Sequence, residues 1–287
     1  MKKIIVLFCS ACIITGCSKQ YVETDPATGQ ETSALSNNTS SICELIGFQQ
    51  IEGSTIFNKL LFTKDSAKLP VALVYYDSVT QKTDKLIRFT YSNGIVKIND
   101  NEWMAMDATS KNVTQYNVRQ YYADSTYDNE FYEYVYNDLN ELVNKYTYLN
   151  GTKSPDYITN YQYDNSKNLV KCELFLSDGK TKLLQTDLKY DLTKTIKPWI
   201  YLYGDSFENY LYVQGFNFGV KPVNPVAEMT TVIFDVNSGN VFDTWKTSFG
   251  SYVFSKDSYV LQVNSTGDLQ QGLGLFLGTT RFNYACN

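Results

Sequence analysis

"FYEYVYNDLNELVNKYTYLNG", residues 131–151, admits two incompatible readings, and the choice between them decides the fold. As a helix, Phe131, Tyr134, Val135, Leu139, Leu142, Val143 and Tyr146 share one face at three-and-four spacing. As strands, Tyr132, Tyr134 and Tyr136 alternate, a polar turn follows at 137–140, and Leu142, Asn144, Tyr146 and Tyr148 alternate again. Periodicity alone does not separate the two.

An internal repeat does. Tyr136, Tyr163 and Tyr190 stand 27 residues apart and sit in similar phrases, "YVYNDLNELVNK", "YQYDNSKNLVKC" and "LKYDLTKTIK". Where the first carries "NDLNE" the second carries "DNSKN". Asp and Asn side chains bond nearby backbone and tolerate left-handed conformations, so this run is turn chemistry. The second copy also puts Asp164, Asn165 and Asn168 where a helix would need apolar residues. Equivalent segments share a fold, so the reading is strand, turn, strand, with Gly151 and Gly179 closing each unit by a second turn.

The same pattern extends along the chain. With 24 Tyr and 16 Phe in 287 residues, the composition suits pleated, half-buried surfaces. "LPVALVYYDS" reads as a strand after Pro70, and "KLIRFTYSNGIVKIND" as a hairpin turned at Asn93-Gly94. "VIFDVNSGNVFDTW" and "YVFSKDSYVLQVNSTGDL" repeat the plan, and 272–282 supplies a last strand or pair. In "CELIGFQQIEGSTIFNKLLF" a short helix stays open. The expected fold is all-β: an antiparallel meander of repeated hairpins forming a large curved sheet or barrel-like single domain, water-soluble, over 43–287, with the 27-residue repeat across 134–203.

The first 42 residues are of another kind. "MKKIIVLFCSACIITGCSKQ" has two lysines, an apolar stretch over 4–14, and Ile14-Thr15-Gly16-Cys17, which resembles the lipobox of bacterial lipoproteins. That resemblance implies cleavage after residue 16 and a lipidated Cys17, whose acyl chains anchor the protein stably. Residues 17–42 are almost wholly polar and read as a flexible tether. Lys19, rather than an aspartate, follows in the second position after the cysteine, which favours the outer membrane, on its periplasmic or extracellular face.

The "Y-x-Y-[DN]" phrases followed by "N-L-V" or "E-L-V", downstream of a lipobox and a tether, resemble a family of Gram-negative lipoproteins of unknown function described as having a porin-like fold. They also resemble the tyrosine-aspartate repeats of large secreted toxin shells, which are more Gly-rich and more regular. The lipoprotein family has no assigned activity, so the resemblance implies a fold and a location but no site residue.

Chemistry must come from the residues. The chain has no histidine, which removes Ser-His-Asp and Cys-His catalysis and His-ligated zinc. No metal site or cofactor motif is present in the sequence: Cys9-x-x-Cys12 lies in the signal, and "GLGLFLG" lacks the lysine of a P-loop. Carboxylate chemistry survives this filter, and Asp205 with Glu208, beside Trp199, is the first pair to inspect as a glycan hydrolase's acids, against their reading as solvated loop acids. Trp103, Trp199 and Trp245 are candidates to stack on sugar rings, against core or cross-strand packing. A net charge of −5, with no basic run, argues against nucleic acid. Cys43, Cys172 and Cys286 remain after processing, and a Cys43–Cys286 bridge is one of the open pairings. The expected role is a lipid-anchored binding or interaction module for a glycan or an envelope protein. The alternatives are a carboxylate-dependent glycan hydrolase and a structural subunit of an envelope complex.

Overall fold

The computed structural model describes residues 43–52, 55–66, 69–77, 80, 82–98, 101–121, 126–197, 216–268 and 277–286. They form sixteen strands and no helix. The first four are β1 Cys43–Glu52, β2 Thr55–Lys64, β3 Pro70–Tyr76 and β4 Thr83–Ser92. Next come β5 Ile95–Ile98, β6 Glu102–Met106, β7 Val113–Tyr121 and β8 Tyr127–Tyr136. Then follow β9 Leu142–Leu149, β10 Tyr157–Tyr163, β11 Leu169–Leu176 and β12 Lys182–Tyr190. The last are β13 Val226–Phe234, β14 Val241–Phe254, β15 Val260–Gly267 and β16 Gly278–Cys286. Each pairs antiparallel with its chain neighbours, and β1 pairs with β16, so the meander closes into a barrel with no free edge.

The opening segment is the hairpin β8–β9, with its turn at 137–141 held by Asn137, whose Oδ1 accepts from the amides of Leu139 and Glu141. Asp164 does the same for Ser166 and Asn168 in the next unit. Positive φ falls at Asn140 (63°) and Lys167 (67°), as this turn chemistry requires. The expected hairpin at Asn93-Gly94 forms with φ of 50° and 78°, both left-handed. One open reading is settled. The segment left open to a short helix is the hairpin β1–β2, because β1 also has β16 to pair with, a partner 243 residues away that local periodicity cannot register. Hairpins at other spacings continue the meander on both sides of 134–203. Within 272–282 the last strand starts at Gly278, and 269–276 lies outside the described residues.

Alternation sorts the side chains between the two faces. Phe48, Leu60, Leu73, Ile87, Val96, Met104, Tyr116 and Leu142 are buried inside the barrel. The connection from β12 to β13 adds Ile196, Phe216 and Phe218, with Phe216 edge-on to Phe89 (5.3 Å) and Phe218 edge-on to Tyr134 (5.2 Å). Toward the opposite rim the inner face turns polar, with buried Gln50, Glu130, Lys145, Thr147, Thr186, Thr231, Thr247, Ser265 and Thr280. Thr186 and Thr231 share a hydrogen bond of 2.9 Å across β12 and β13.

The outer face is charged. Strand alternation turns Arg88, Lys97, Asp187 and Arg281 outward between buried neighbours, and Arg119, Lys171, Glu173, Lys189, Glu228 and Lys246 share that outer face. Glu228 on β13 is bridged from both sides, by Lys189 of β12 at 2.8 Å and Lys246 of β14 at 2.6 Å. The terminal rim is stapled by a disulfide between Cys43 and Cys286, across the β1–β16 seam, and Cys172 is free and buried.

Candidate functional site

Four residues on four consecutive strands stand in register on the outer wall: Trp103 of β6, Asn117 of β7, Phe131 of β8 and Tyr148 of β9. Strand alternation turns all four outward, opposite the buried Met104, Tyr116, Tyr132 and Thr147. The ring of Trp103 leans over Asn117 to within 6.0 Å of Phe131, and Phe131 lies 5.7 Å from Tyr148, each pair tilted by 48°. Phe131 and Tyr148 are directly opposed on adjacent strands, whereas Trp103 reaches Phe131 across the intervening β7.

Beside this row lies a groove of about 600 Å³, lined by Asn117, Asn129, Phe131, Glu133, Tyr148 and the 150–153 turn. The turn forms one end of it, with Asn150 and Gly151 both left-handed at φ of 51° and 76°. Asn150 is locked there: its Oδ1 accepts from the amide of Asn129 (3.0 Å) and its Nδ2 donates to Asp128 (2.7 Å). On the other side the Tyr148 hydroxyl donates to Glu133 at 2.7 Å, which fixes the ring. Burial first, and then the Glu133 carboxylate, push the Tyr148 hydroxyl up to about 12, so it remains a donor at neutral pH. Asn117 spends its Nδ2 on the carbonyl of Asn101, and Asn129 spends its Oδ1 on the Arg119 guanidinium.

Chemically the groove offers two rings, Phe131 and Tyr148, with Trp103 adjoining Phe131, several amides, one ammonium at Lys153 and one carboxylate at Glu133. Glycoside hydrolysis asks for two acids flanking one bond, and the lining supplies one. The described residues contain no cluster of His, Cys, Asp or Glu fit for a metal.

Of the residues singled out by sequence, Trp103 belongs to this site. Trp245 does not: it faces inward on β14 opposite Thr231, and its Nε1 donates to Asp243 at 2.8 Å. Asp205, Glu208 and Trp199 lie outside the described residues, as does Cys17. Phe131, Tyr148 and the asparagines had no signal of their own in the sequence. Only the register across β6 to β9 brings them together.

No family model matches the chain, and no curated protein matches it. Solved structures do. A porin-like protein from Bacteroides vulgatus ATCC 8482 superposes with a TM-score of 0.56 at 9% identity, over 85% of this chain and 99% of that one. A porin-like protein from Bacteroides uniformis ATCC 8492 gives 0.54 at 10% identity, over 84% and 98%. At such identity the likeness is one of fold: this chain is built as those porin-like barrels are.

Proposed function

We propose that this chain is a lipid-tethered protein of the outer membrane whose barrel stands in water and binds a glycan on its outer wall. The observation that carries the binding reading is the Trp103–Phe131–Tyr148 row beside a groove of amides, because aromatic faces with convergent polar groups suit the apolar faces and hydroxyls of sugars.

The charge of the outer face supports the location in water. A spanning barrel turns an apolar band outward, and a single Arg or Lys on its lipid face costs about 2–4 kcal/mol at the midplane. Here Arg88, Lys97, Lys171, Lys189 and Lys246 are all on that face. The lipobox at 14–17 and the polar 17–42 segment supply an anchor of a different kind, through the acyl chains of Cys17. The single carboxylate of the groove favours binding over hydrolysis.

A glycan array probed with the purified protein tests the reading. Binding to at least one glycan that is lost in Trp103→Ala is expected. An array with no signal overturns it and leaves a protein partner in the envelope as the reading to pursue.

A further inference from the structure

We infer that the groove takes a single, twisted strand of neutral sugar, and not the flat face of a crystalline polysaccharide. This rests on the glycan reading above and narrows it.

The tilt of the rings is the first argument. Trp103 and Phe131 differ by 48°, and Phe131 and Tyr148 differ by 48° again, so no plane touches all three ring faces. The barrel wall turns from strand to strand, and the row runs across the strands, so each ring inherits a new orientation. A rigid flat surface cannot lie face-on against both rings of either adjacent pair. A chain whose successive pyranose rings rotate about the glycosidic linkages meets them in turn.

Size and closure are the second. The groove of about 600 Å³ falls within the range of pockets that hold a small ligand, and the 150–153 turn walls one end. That suits a short run of sugars.

Charge and hydrogen bonding are the third. The lining carries one carboxylate, Glu133, and one ammonium, Lys153, with no surplus of cations to recognise a uronate or a sulfate. After their bonds to Asn101 and Arg119, Asn117 retains its Oδ1 and Asn129 its Nδ2. One free acceptor and one free donor on neighbouring strands match a pair of vicinal hydroxyls, which offer both functions at once.

The experiment uses the acylated protein in detergent micelles. Calorimetry is run against soluble neutral oligosaccharides and their uronic-acid counterparts, and sedimentation against insoluble cellulose and chitin. Binding to a soluble neutral oligosaccharide is expected, weakened about tenfold or more in Trp103→Ala and Tyr148→Ala and also in Asn117→Ala. Tyr148→Phe keeps the ring and should retain most of the affinity. Circular dichroism checks that each variant is folded, and Thr244→Ala, on the outer face of β14, serves as a remote control. Sedimentation with cellulose or chitin that soluble chains do not compete overturns this inference while leaving the glycan reading in place. Preference for the uronic-acid ligand, or neutral binding indifferent to Trp103 and Tyr148, also overturns it. No binding in either format overturns both.

Discussion

The Tyr190 hydroxyl donates to the carbonyl oxygen of Leu169 at 2.8 Å, tying the last residue of β12 to the first residue of β11. The same bond recurs round the terminal rim: Tyr91 to Pro70, Tyr136 to Val113, Tyr252 to Val226 and Tyr284 to Val260, at 2.6 to 2.9 Å. At Tyr136 and Tyr190 the register slips just before the tyrosine. Such a bulge re-aims a side chain, and here the ring turns under the wall toward the start of a neighbouring odd-numbered strand. Two of the three tyrosines in the 27-residue period, Tyr136 and Tyr190, make this corner bond.

Removing one corner hydroxyl leaves a carbonyl short of its partner. Tyr190→Phe is expected to cost about 1–2 kcal/mol, with the barrel intact. Urea unfolding followed by circular dichroism measures it. No change in midpoint would mean that the ring alone, and not the bond, holds the corner.

Alkali should act through the same residues. Burial raises Tyr91, Tyr190, Tyr252 and Tyr284 beyond the ordinary tyrosine value of 10.0, and Tyr148 to about 12. In the unfolded chain each loses its proton near 10, whereas the folded barrel retains it to higher pH. Their contribution to stability is thus complete below pH 10 and lost as pH climbs from 10 through 12 and beyond. Phenolate absorbance should lag the free-tyrosine curve and then rise together with loss of β-structure. Titration of all tyrosines near pH 10 in a folded protein would contradict this.

The corner also marks what was legible in the sequence. Tyr136, Tyr163 and Tyr190 were visible because each is followed by an Asx turn, so a local chemistry repeats at a fixed interval. Closure was not legible, since it depends on Cys43 meeting Cys286 across the whole chain. Nor was the groove. Trp103 could be named by residue type, but Asn117, Phe131 and Tyr148 join it only through registers set by three separate turns. Trp245 shows the converse: a residue type that suits sugars, placed by alternation on the inner face.

The seam disulfide should be worth more than any single hydrogen bond of the wall. It spans 243 residues, and removing a native bridge typically costs about 2–5 kcal/mol. Cys286→Ser is expected to lower the urea midpoint accordingly, while Cys172→Ser, away from the seam, removes only a small buried thiol. Equal effects of the two would argue that the bridge is dispensable.

Anchoring and folding should separate cleanly. Residues 43–287, expressed without what precedes them, are expected to fold in water without detergent, because their charged outer face needs no lipid. In the full chain Cys17→Ala should release the protein from the membrane fraction. A fragment that folds only in detergent and conducts ions across a bilayer would make the barrel a pore.

The staple at the seam also determines how the molecule bears a pull. Residue 42 joins the barrel at Cys43, so any tension along the N-terminal segment enters at the end of β1. In a barrel held by ladders alone, that point is where peeling starts, one hydrogen bond at a time. Here the load meets the Cys43–Cys286 bond first and is shared at once between the first strand and the last. A ligand dragged by flow against the outer wall would therefore strain the polar segment before it could unzip the sheet.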